Sequence, residues 1–555
     1  MRIQRSHPAV LLLTAAGLAG CPVSGNGADD EQNPLIMLPA GYDPMPVQGP
    51  GHFPGVVGVP NLDDDNENGD PDWDDFDTDG ENDLAVFGIG EAHLARIKGN
   101  TTLRMSLTSG EDRVRVWRGS ELVLGEADGD SPPLDYDITA DDTEFHVEFS
   151  RPLARGTLSF QWYKGGEAKW DPVVVELLAS PLVMNTHMQP AEKVMAVEAS
   201  FGGSDNNSQM IADYQDALGD RFITIPGNQY GWDVWIQDEI EFATYSSPDS
   251  RIDLVIDSIR DRGLDDVPED YFEGPEFLVD TWGEGFATSQ DSFGNLEATP
   301  PVTVDGVEYP FGRVYYGDAG SSGAVVEDLQ EMFADMAVQG PFELDTSWLC
   351  VGHVDEFMSW VPDPSAPKGW RLVYTDIPGA WEVLEAMDPD TPLPRYASGH
   401  GFATVGEILE DNALRALNDD LWDDYLEPNL DILREKAGVT DEDIVWMPGL
   451  FEVTSGCGGT TAALIPGMAN LIVSNFPGEQ VQLFMADPFL REDSGDQSTD
   501  PMITEVRERF SDYDVVFVDD WSVYHMGLGE VHCGTNVIRT PTEGWWRTIN
   551  SALEL

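Results

Sequence analysis

The sequence predicts a multidomain protein of β followed by α/β type: a β-sandwich, then a larger α/β domain. Three observations lead there. The chain has 555 residues and 41% apolar content, enough for two or three domains with their own cores. From 84 to about 178, short runs alternate apolar and polar residues between turn signals, as in Val114-Arg115-Val116-Trp117 and Glu144-Phe145-His146-Val147-Glu148-Phe149. Many short strands at this spacing pack as a sandwich. From about 173, strand-like runs (173–178, 193–197, 252–256, 371–374, 481–485, 515–518) alternate with helical stretches (209–218, 324–338, 405–425). That alternation is the pattern of an α/β domain, and its length suits a closed or propeller-like arrangement better than one layered sheet.

In order along the chain, 1–21 reads as an export signal. Met1-Arg2-Ile3-Gln4-Arg5 is basic, and the apolar stretch 8–18 is too short to span a bilayer. It ends in Leu18-Ala19-Gly20-Cys21, which resembles a bacterial lipobox and implies a lipid on Cys21; an ordinary signal peptide with a chance cysteine is the alternative. The expected location is the bacterial cell envelope, lipid-anchored through Cys21, or the secreted fraction. Residues 22–55, rich in Gly, Pro, Asn and Asp without periodicity, read as a flexible tether.

The domain expected at 56–172 opens on acidic loops. Asp64-x-Asn66-x-Asn68-Gly69 and Asp75-x-Asp77-x-Asp79-Gly80 place oxygen-bearing side chains at alternate positions with a glycine for the turn, as calcium loops do. Val86 stands twelfth from Asp75 and cannot close an EF-hand, so these are calcium loops without EF-hand helices, or else a solvated acidic linker. The whole chain is acidic, 102 Asp and Glu against 29 Lys and Arg, net −73. Nucleic acid and anionic membrane surfaces are therefore excluded as partners, and cations, whether metal ions or basic peptides, are favoured. Adaptation of the surface to salt explains the same excess.

The domain expected at 173–555 holds Cys350, Cys457 and Cys533. One bridge can form, and at least one thiol stays free. Cys533 sits in the Gly-flanked run Gly529-Glu530-Val531-His532-Cys533-Gly534. In Trp235-Ile236-Gln237-Asp238-Glu239-Ile240-Glu241-Phe242, read as a strand, Gln237, Glu239 and Glu241 share a face that suits a hard cation, and Asp238 faces the other way. Asp257-Ser258-Ile259-Arg260-Asp261-Arg262-Gly263 follows a strand end and mixes oxygen ligands with two arginines, which would bind a carboxylate or peptide carbonyl or else form a local salt-bridge cluster. In Gly352-His353-Val354-Asp355-Glu356, read as a strand, His353 and Asp355 share a face as a metal pair or as an acid/base with its carboxylate. No His-x-x-x-His or Cys-x-x-Cys completes a zinc site. A thiol, a histidine and two carboxylates match a forked cation, and a guanidinium fits with its five coplanar donors.

These runs resemble the protein-arginine deiminase (peptidylarginine deiminase) family. The matching segments are Trp235-Ile236-Gln237-Asp238-Glu239, Asp257-Ser258 with Arg262-Gly263-Leu264, Asp291-Ser292-Phe293-Gly294-Asn295-Leu296-Glu297, Pro300-Pro301-Val302-Thr303-Val304, Val351-Gly352-His353-Val354-Asp355-Glu356-Phe357, Gly529-Glu530-Val531-His532-Cys533-Gly534-Thr535-Asn536-Val537 and the pair Trp545-Trp546. The resemblance implies an immunoglobulin-like β-sandwich followed by a pseudo-fivefold α/β propeller catalytic domain. It implies hydrolysis of arginine side chains in proteins or peptides to citrulline and ammonia, with Cys533 as nucleophile, His353 as proton donor and later base, and Asp238 and Asp355 gripping the guanidinium. Trp235 would line the side chain, and Arg262, with Arg260 beside it, would bind the substrate backbone. Ca2+ is the implied cofactor. One ion would be held by Gln237, Glu241, Glu297 and the carbonyls of Phe293 and Leu296, another by Glu239, Asp257, Ser258 and Asp261, and more by the segment around Asn61, Asp63, Asp65 and Asp75. The chain departs from the family in having room for one sandwich domain rather than two, in Asp261 where Asn is common, and in 524–528, which lacks an arginine. A deiminase of free arginine or agmatine and a non-catalytic, calcium-stabilised surface binding protein are the alternative readings.

Overall fold

The computed structural model describes residues 55–63, 72–74, 76, 84–127, 131–202, 205–260, 262–274, 277–283, 287–319 and 324–547. The expected signal, the lipidation at Cys21, the tether, Asp65, Asp75 and Asp261 lie outside them. The chain forms two compact units, one of 1–181 with 245–252 and 543–551, the other of 182–244 with 253–542 and 552–555.

The first unit is built from the alternating segments. One sheet orders strands Gly55–Gly58, Glu167–Ala179, Arg155–Lys164, Thr101–Ser109 and Asp135–Ile138; the other orders Ala85–Gly88, Glu144–Phe149, Val114–Arg118 and Glu121–Gly125. Both contribute to one core, Leu103, Met105, Leu158 and Phe160 from the first and Phe87, Val116, Phe145 and Val147 from the second. A sandwich follows because alternate residues of each strand face inward. Glu167–Ala179 carries the unit past residue 172, to Pro181. Asn61 turns its amide onto buried Glu148 at 3.0 Å, where Arg115 and Trp117 also donate.

The second unit repeats one motif. Five small sheets each carry an antiparallel pair and a third, parallel strand. They are Val183–Met184, Ile240–Ser246, Arg251–Asp257 and Phe277–Thr281; Thr535–Arg539, Ala191–Glu198 and Phe222–Pro226; Leu296–Ala298, Val314–Asp318 and Phe342–Asp345; Met358–Pro362, Trp370–Asp376 and Ile444–Pro448; and Ile472–Ser474, Gln482–Ala486 and Asp514–Val518. Each parallel step crosses through helix, respectively Val267–Phe272, Ser208–Leu218, Glu327–Asp335, a group from Ile377–Ala386 to Glu427–Ala437, and Pro501–Arg509. Parallel neighbours need such a crossover. The last strand pairs with the first long one, Val194 opposite Val537, so the two ends of the unit are joined in one sheet.

The helix expected over 405–425 is broken. Val405–Glu410 stops at Asp411, whose carboxylate accepts from the Ala413 and Leu414 amides and caps a new helix, Asn412–Leu421. The segment 491–501 is pinned by buried Arg491, paired with Asp487 at 2.6 Å and Asp500 at 3.0 Å. Among the described residues no helix is long and apolar enough to cross a membrane.

Candidate active site

In each of the five sheets, residues two or three before one strand come to a common place: Asp238 before Ile240–Ser246, Gly294 before Leu296–Ala298, Asp355 before Met358–Pro362, Asn470 before Ile472–Ser474 and Cys533 before Thr535–Arg539. A repeated topology thus presents five equivalent loop ends to one centre.

Cys533 is a free thiol, 5% exposed, and the other two cysteines of the unit form a disulfide, Cys350–Cys457. The Asn470 amide donates to its sulfur at 3.3 Å, and the thiol donates to Asp355 Oδ2 at 3.4 Å. Burial, then the negative charges of Asp355 and Asp238, pushes the thiol well above its ordinary value. The resting sulfur is therefore protonated.

The expected strand at 235–242 is instead a helical turn, Ile236–Glu239, entering strand Ile240–Ser246. The turn changes which acids share a side. Gln237 and Glu241, four apart, meet at 2.8 Å, and the Gln237 amide also reaches the Phe293 carbonyl at 3.5 Å. Glu239 lies elsewhere, its carbonyl accepting from the Ser258 amide, with Asp257 close enough to raise its pKa. Asp238 faces His353, Oδ1 lying 3.5 Å from Nδ1, and its Oδ2 accepts from Arg262 at 3.0 Å. Arg262 also pairs with Asp233 at 2.8 Å. Arg260 donates to the Ser292 hydroxyl.

His353 and Asp355 are likewise not on a strand. His353 precedes the 3-10 turn Val354–Glu356, and Glu356 folds back to accept from the amides of Gly352 and His353, each at 2.9 Å. His353 is buried, with Nε2 2.7 Å from the Ser289 carbonyl. A carbonyl only accepts, so Nε2 donates a proton there and Nδ1 is the nitrogen that faces Asp238 and Gly294. Asp355 does not pair with His353; its Oδ2 accepts from His532 Nδ1 at 2.9 Å, while its buried Oδ1 has no hydrogen-bond partner. Gly294 stands among all three: a Cβ there would lie 2.6 Å from His353 Nδ1, 3.1 Å from Asp238 Oδ1 and 3.3 Å from Asp355 Oδ2. Trp235 walls the side toward the thiol, since a Cβ on Gly529 would come 2.4 Å from its ring and 3.3 Å from the Cys533 Cβ.

The remaining acids form two buried groups. Burial holds Glu241 up at about 7 and Glu297 at about 8; it holds Asp257 at about 7 and, with Asp257 adding repulsion, Glu239 at about 9. Glu239 has both oxygens, and Asp257 its Oδ1, buried without a hydrogen-bond partner. Carboxyl oxygens in that state suit a hard divalent cation, which takes oxygen ligands at short range. The donor set therefore fits calcium. The Phe293 carbonyl reaches the first group through the Gln237 amide at 3.5 Å, and the Ser258 amide donates to the Glu239 carbonyl while its hydroxyl donates to the Asp291 carbonyl at 3.3 Å. Asn61 and Asp63 are buried in the first unit.

Sequence reasoning missed Asn470, the position of Gly294 and the partners of His532. His532 was visible as the neighbour of Cys533. Asn470 carries no local signal, since 63 residues separate it from Cys533.

Fold and site together define an α/β protein with one buried thiol set among carboxylates and a histidine. A family profile described as "Protein-arginine deiminase (PAD)" matches residues 171–547, and the chain belongs to that family. Protein-arginine deiminase type-4 of Rattus norvegicus is 31% identical over 390 residues, 67% of this chain and 56% of that one. The type-4 enzyme of Homo sapiens is 30% identical over 389 residues, with 67% and 56% covered, and type-1 of Mus musculus 31% over 394, with 68% and 57%. The chain thus spans little more than half the length of these relatives. The solved C. jejuni agmatine deiminase aligns with TM-score 0.36 and 9% identity over 66% of this chain and 98% of its own.

Proposed function

We propose that this chain hydrolyses peptidyl-arginine to peptidyl-citrulline and ammonia in a calcium-dependent reaction through a covalent cysteine intermediate. The observation that carries the reading is the convergence of His353, Asp238 and Asp355 on Gly294, with the Cys533 thiol 3.4 Å from Asp355. It provides a nucleophile, a proton carrier and two carboxylates, three of which approach one glycine so closely that a Cβ there would clash.

In the proposed mechanism Asp355 and Asp238 accept from a guanidinium, which keeps its positive charge and the electrophilicity of its central carbon. That cation also offsets the charges that raise the Cys533 pKa, so the thiolate forms where the substrate is bound. The thiol proton passes to His353, sulfur attacks the central carbon, and protonated His353 gives that proton to the nitrogen whose C–N bond breaks, releasing ammonia. Neutral His353 then takes a proton from water, whose oxygen adds to the thiouronium carbon; the C–S bond breaks and the ureido product leaves with the thiol restored. Gln237, Glu241, Glu297 and the carbonyls of Phe293 and Leu296 would hold one calcium, and Glu239, Asp257, Ser258 and Asp261 another. Calcium when bound supplies positive charge on both sides of Asp238 and fixes the turn that carries it. Arg262 must give up Asp238 for this carboxylate to receive substrate, which suits it to take the peptide backbone; Arg260 stands beside it.

The finer architecture belongs to the same reading. The five alike sheets, closed by the pairing of the last strand with the first, support a pseudo-fivefold propeller, and the two-sheet first unit supports an immunoglobulin-like domain with calcium at Asn61, Asp63, Asp65 and Asp75. Export with a lipid on Cys21 is proposed from the leader pattern; the Cys350–Cys457 bridge suits an oxidising compartment. Citrulline formation from benzoyl-arginine amide and from free arginine or agmatine, each with calcium and with chelator, tests the reading. Turnover of the blocked substrate only with calcium is expected. Preference for the free amine substrates would transfer the activity to them, full activity in chelator would remove the calcium requirement, and no turnover of any would leave a binding protein.

A further inference from the structure

Beside the first acidic group lies a cluster that adds imidazole nitrogens to a carboxylate. His187, Glu297 and His532 each present one ligand atom, and these atoms all lie within 4.8 Å of one another. His187 Nδ1 is 3.0 Å from the Trp360 carbonyl. A carbonyl cannot donate, so that nitrogen carries the proton and Nε2 keeps its lone pair, 3.8 Å from Glu297 Oε2. His532 repeats the arrangement: Nδ1 donates to Asp355 at 2.9 Å, and Nε2 faces Glu297 Oε1 at 3.4 Å. Both imidazoles are thus held from behind by an oxygen acceptor, with Nε2 turned to one carboxylate between them. This is how metal-ligating histidines are fixed in orientation and tautomer. A cavity of about 30 Å³, lined by these three residues and by Gln237 and Glu241, adjoins them, room for one ion with its water.

We propose that His187, Glu297 and His532 bind a transition-metal dication of zinc's class, in competition with calcium, and that its binding arrests the reaction. Two imidazoles and a carboxylate suit zinc and leave its fourth position open to water. Calcium seeks oxygen, so the neighbouring oxygen group and this nitrogen-bearing one prefer different ions but share Glu297. Zinc on His532 Nε2 strengthens the donation from Nδ1 to Asp355 and holds that carboxylate off a guanidinium. This arrest rests on the role proposed above for Asp355; the site itself does not.

The test uses the tag-free full chain. Calorimetric titration of the calcium-free protein with Zn2+, and the visible spectrum with Co2+, report binding without any turnover. One ion per chain and a tetrahedral, nitrogen-ligated cobalt spectrum are expected. His187→Gln should weaken zinc at least about tenfold, and His187→Asn checks it should the first variant melt abnormally. Calcium should displace zinc, and zinc should inhibit citrulline formation with a midpoint that rises about as much in His187→Gln as the affinity falls. Cys533→Ala should bind zinc as the wild type does. No zinc binding, binding unchanged by loss of His187, or binding lost in Cys533→Ala would each overturn the site. Binding with the expected His187 dependence but no inhibition of an active enzyme overturns the arrest alone, and binding in a chain that makes no citrulline separates this site from the proposed activity.

Discussion

Gly294→Ala offers the sharpest probe of the site, because it adds one methyl where three functional side chains meet. Its Cβ would stand 2.6 Å from His353 Nδ1, 3.1 Å from Asp238 Oδ1 and 3.3 Å from Asp355 Oδ2. Contact distances between carbon and such atoms are about 3.5 Å, so roughly 0.9 Å must be found on the histidine side. His353 has no room to yield, since it is buried and its far nitrogen is held by the Ser289 carbonyl at 2.7 Å. The displacement falls on the loop of Gly294 or on the carboxylates. A shift of about 1 Å in reacting groups costs on the order of 100-fold in rate, about 2.7 kcal/mol. The overpacking itself costs about 1–3 kcal/mol of stability. The expected result is a cooperative melt at a modestly lower temperature with kcat for benzoyl-arginine amide reduced on the order of 100-fold. A folded variant within about threefold of wild-type kcat/KM would refute the claim that the guanidinium is processed in this space.

Three further outcomes follow from other parts of the chain. Calcium should raise the melting temperature of the wild type and do so much less for Glu239→Gln, which replaces a buried carboxyl whose two oxygens have no hydrogen-bond partner; an equal shift in both would place the ion elsewhere. Cys350→Ser opens a loop of 107 residues and should cost about 2–5 kcal/mol in denaturant unfolding; unchanged unfolding would show that the bridge constrains nothing. Asp280 is pushed up to about 6 by burial. A carboxyl raised in the folded state binds a proton the unfolded chain releases, so its contribution is full below about pH 4 and is lost as pH rises through about 6. The shift of about two units corresponds to at most roughly 3 kcal/mol, less for its partial exposure. Asp280→Asn should therefore stabilise at pH 8 and change little at pH 4, and an equal effect at both would contradict the burial argument.

Local pattern made the sandwich strands and the helices Ser208–Leu218 and Glu327–Asp335 legible, since each is set by its own periodicity and by packing against its own sheet. Acidic runs were harder. Around Asp238 the spacing of Gln237, Glu239 and Glu241 suits a strand by alternation and a helical turn by the four-residue step, and only the turn lets Gln237 meet Glu241. At 405–425 the apolar period runs through Asp411, but its carboxylate caps the next turn and ends the first helix. Long-range pairings carried no sequence signal: Asp355 and His532 are 177 residues apart, and Cys350 could as well have met Cys533. The fivefold repetition is one of topology and loop position rather than of residue type, so no internal repeat exposes it.

The electrostatics of the second unit tie these observations together. Asp238, Glu239, Glu241, Asp257, Glu297 and Asp355 are all buried. Among the described residues the cations facing them are few: Arg262, already shared between Asp233 and Asp238; Arg260, whose charge reaches Asp238 and Glu239; Arg539, whose charge reaches Glu241 and Glu297; and His532, which burial lowers but Glu297 and Asp355 hold up at about 8. Buried carboxyls in excess of their counterions are relieved by protonation, by a hard cation or by a cationic substrate. Protonation is what the raised values of Glu239, Glu241, Asp257 and Glu297 describe, and it leaves Cys533 a thiol under the field of Asp355 and Asp238. Under the proposed function, a guanidinium on those two acids would be the relief that acts directly on the sulfur, because it would offset the charges that raise the Cys533 pKa. Reactivity would then be conditional on the substrate: a buried thiol that is protonated at rest would become nucleophilic when the group it is to attack supplies positive charge.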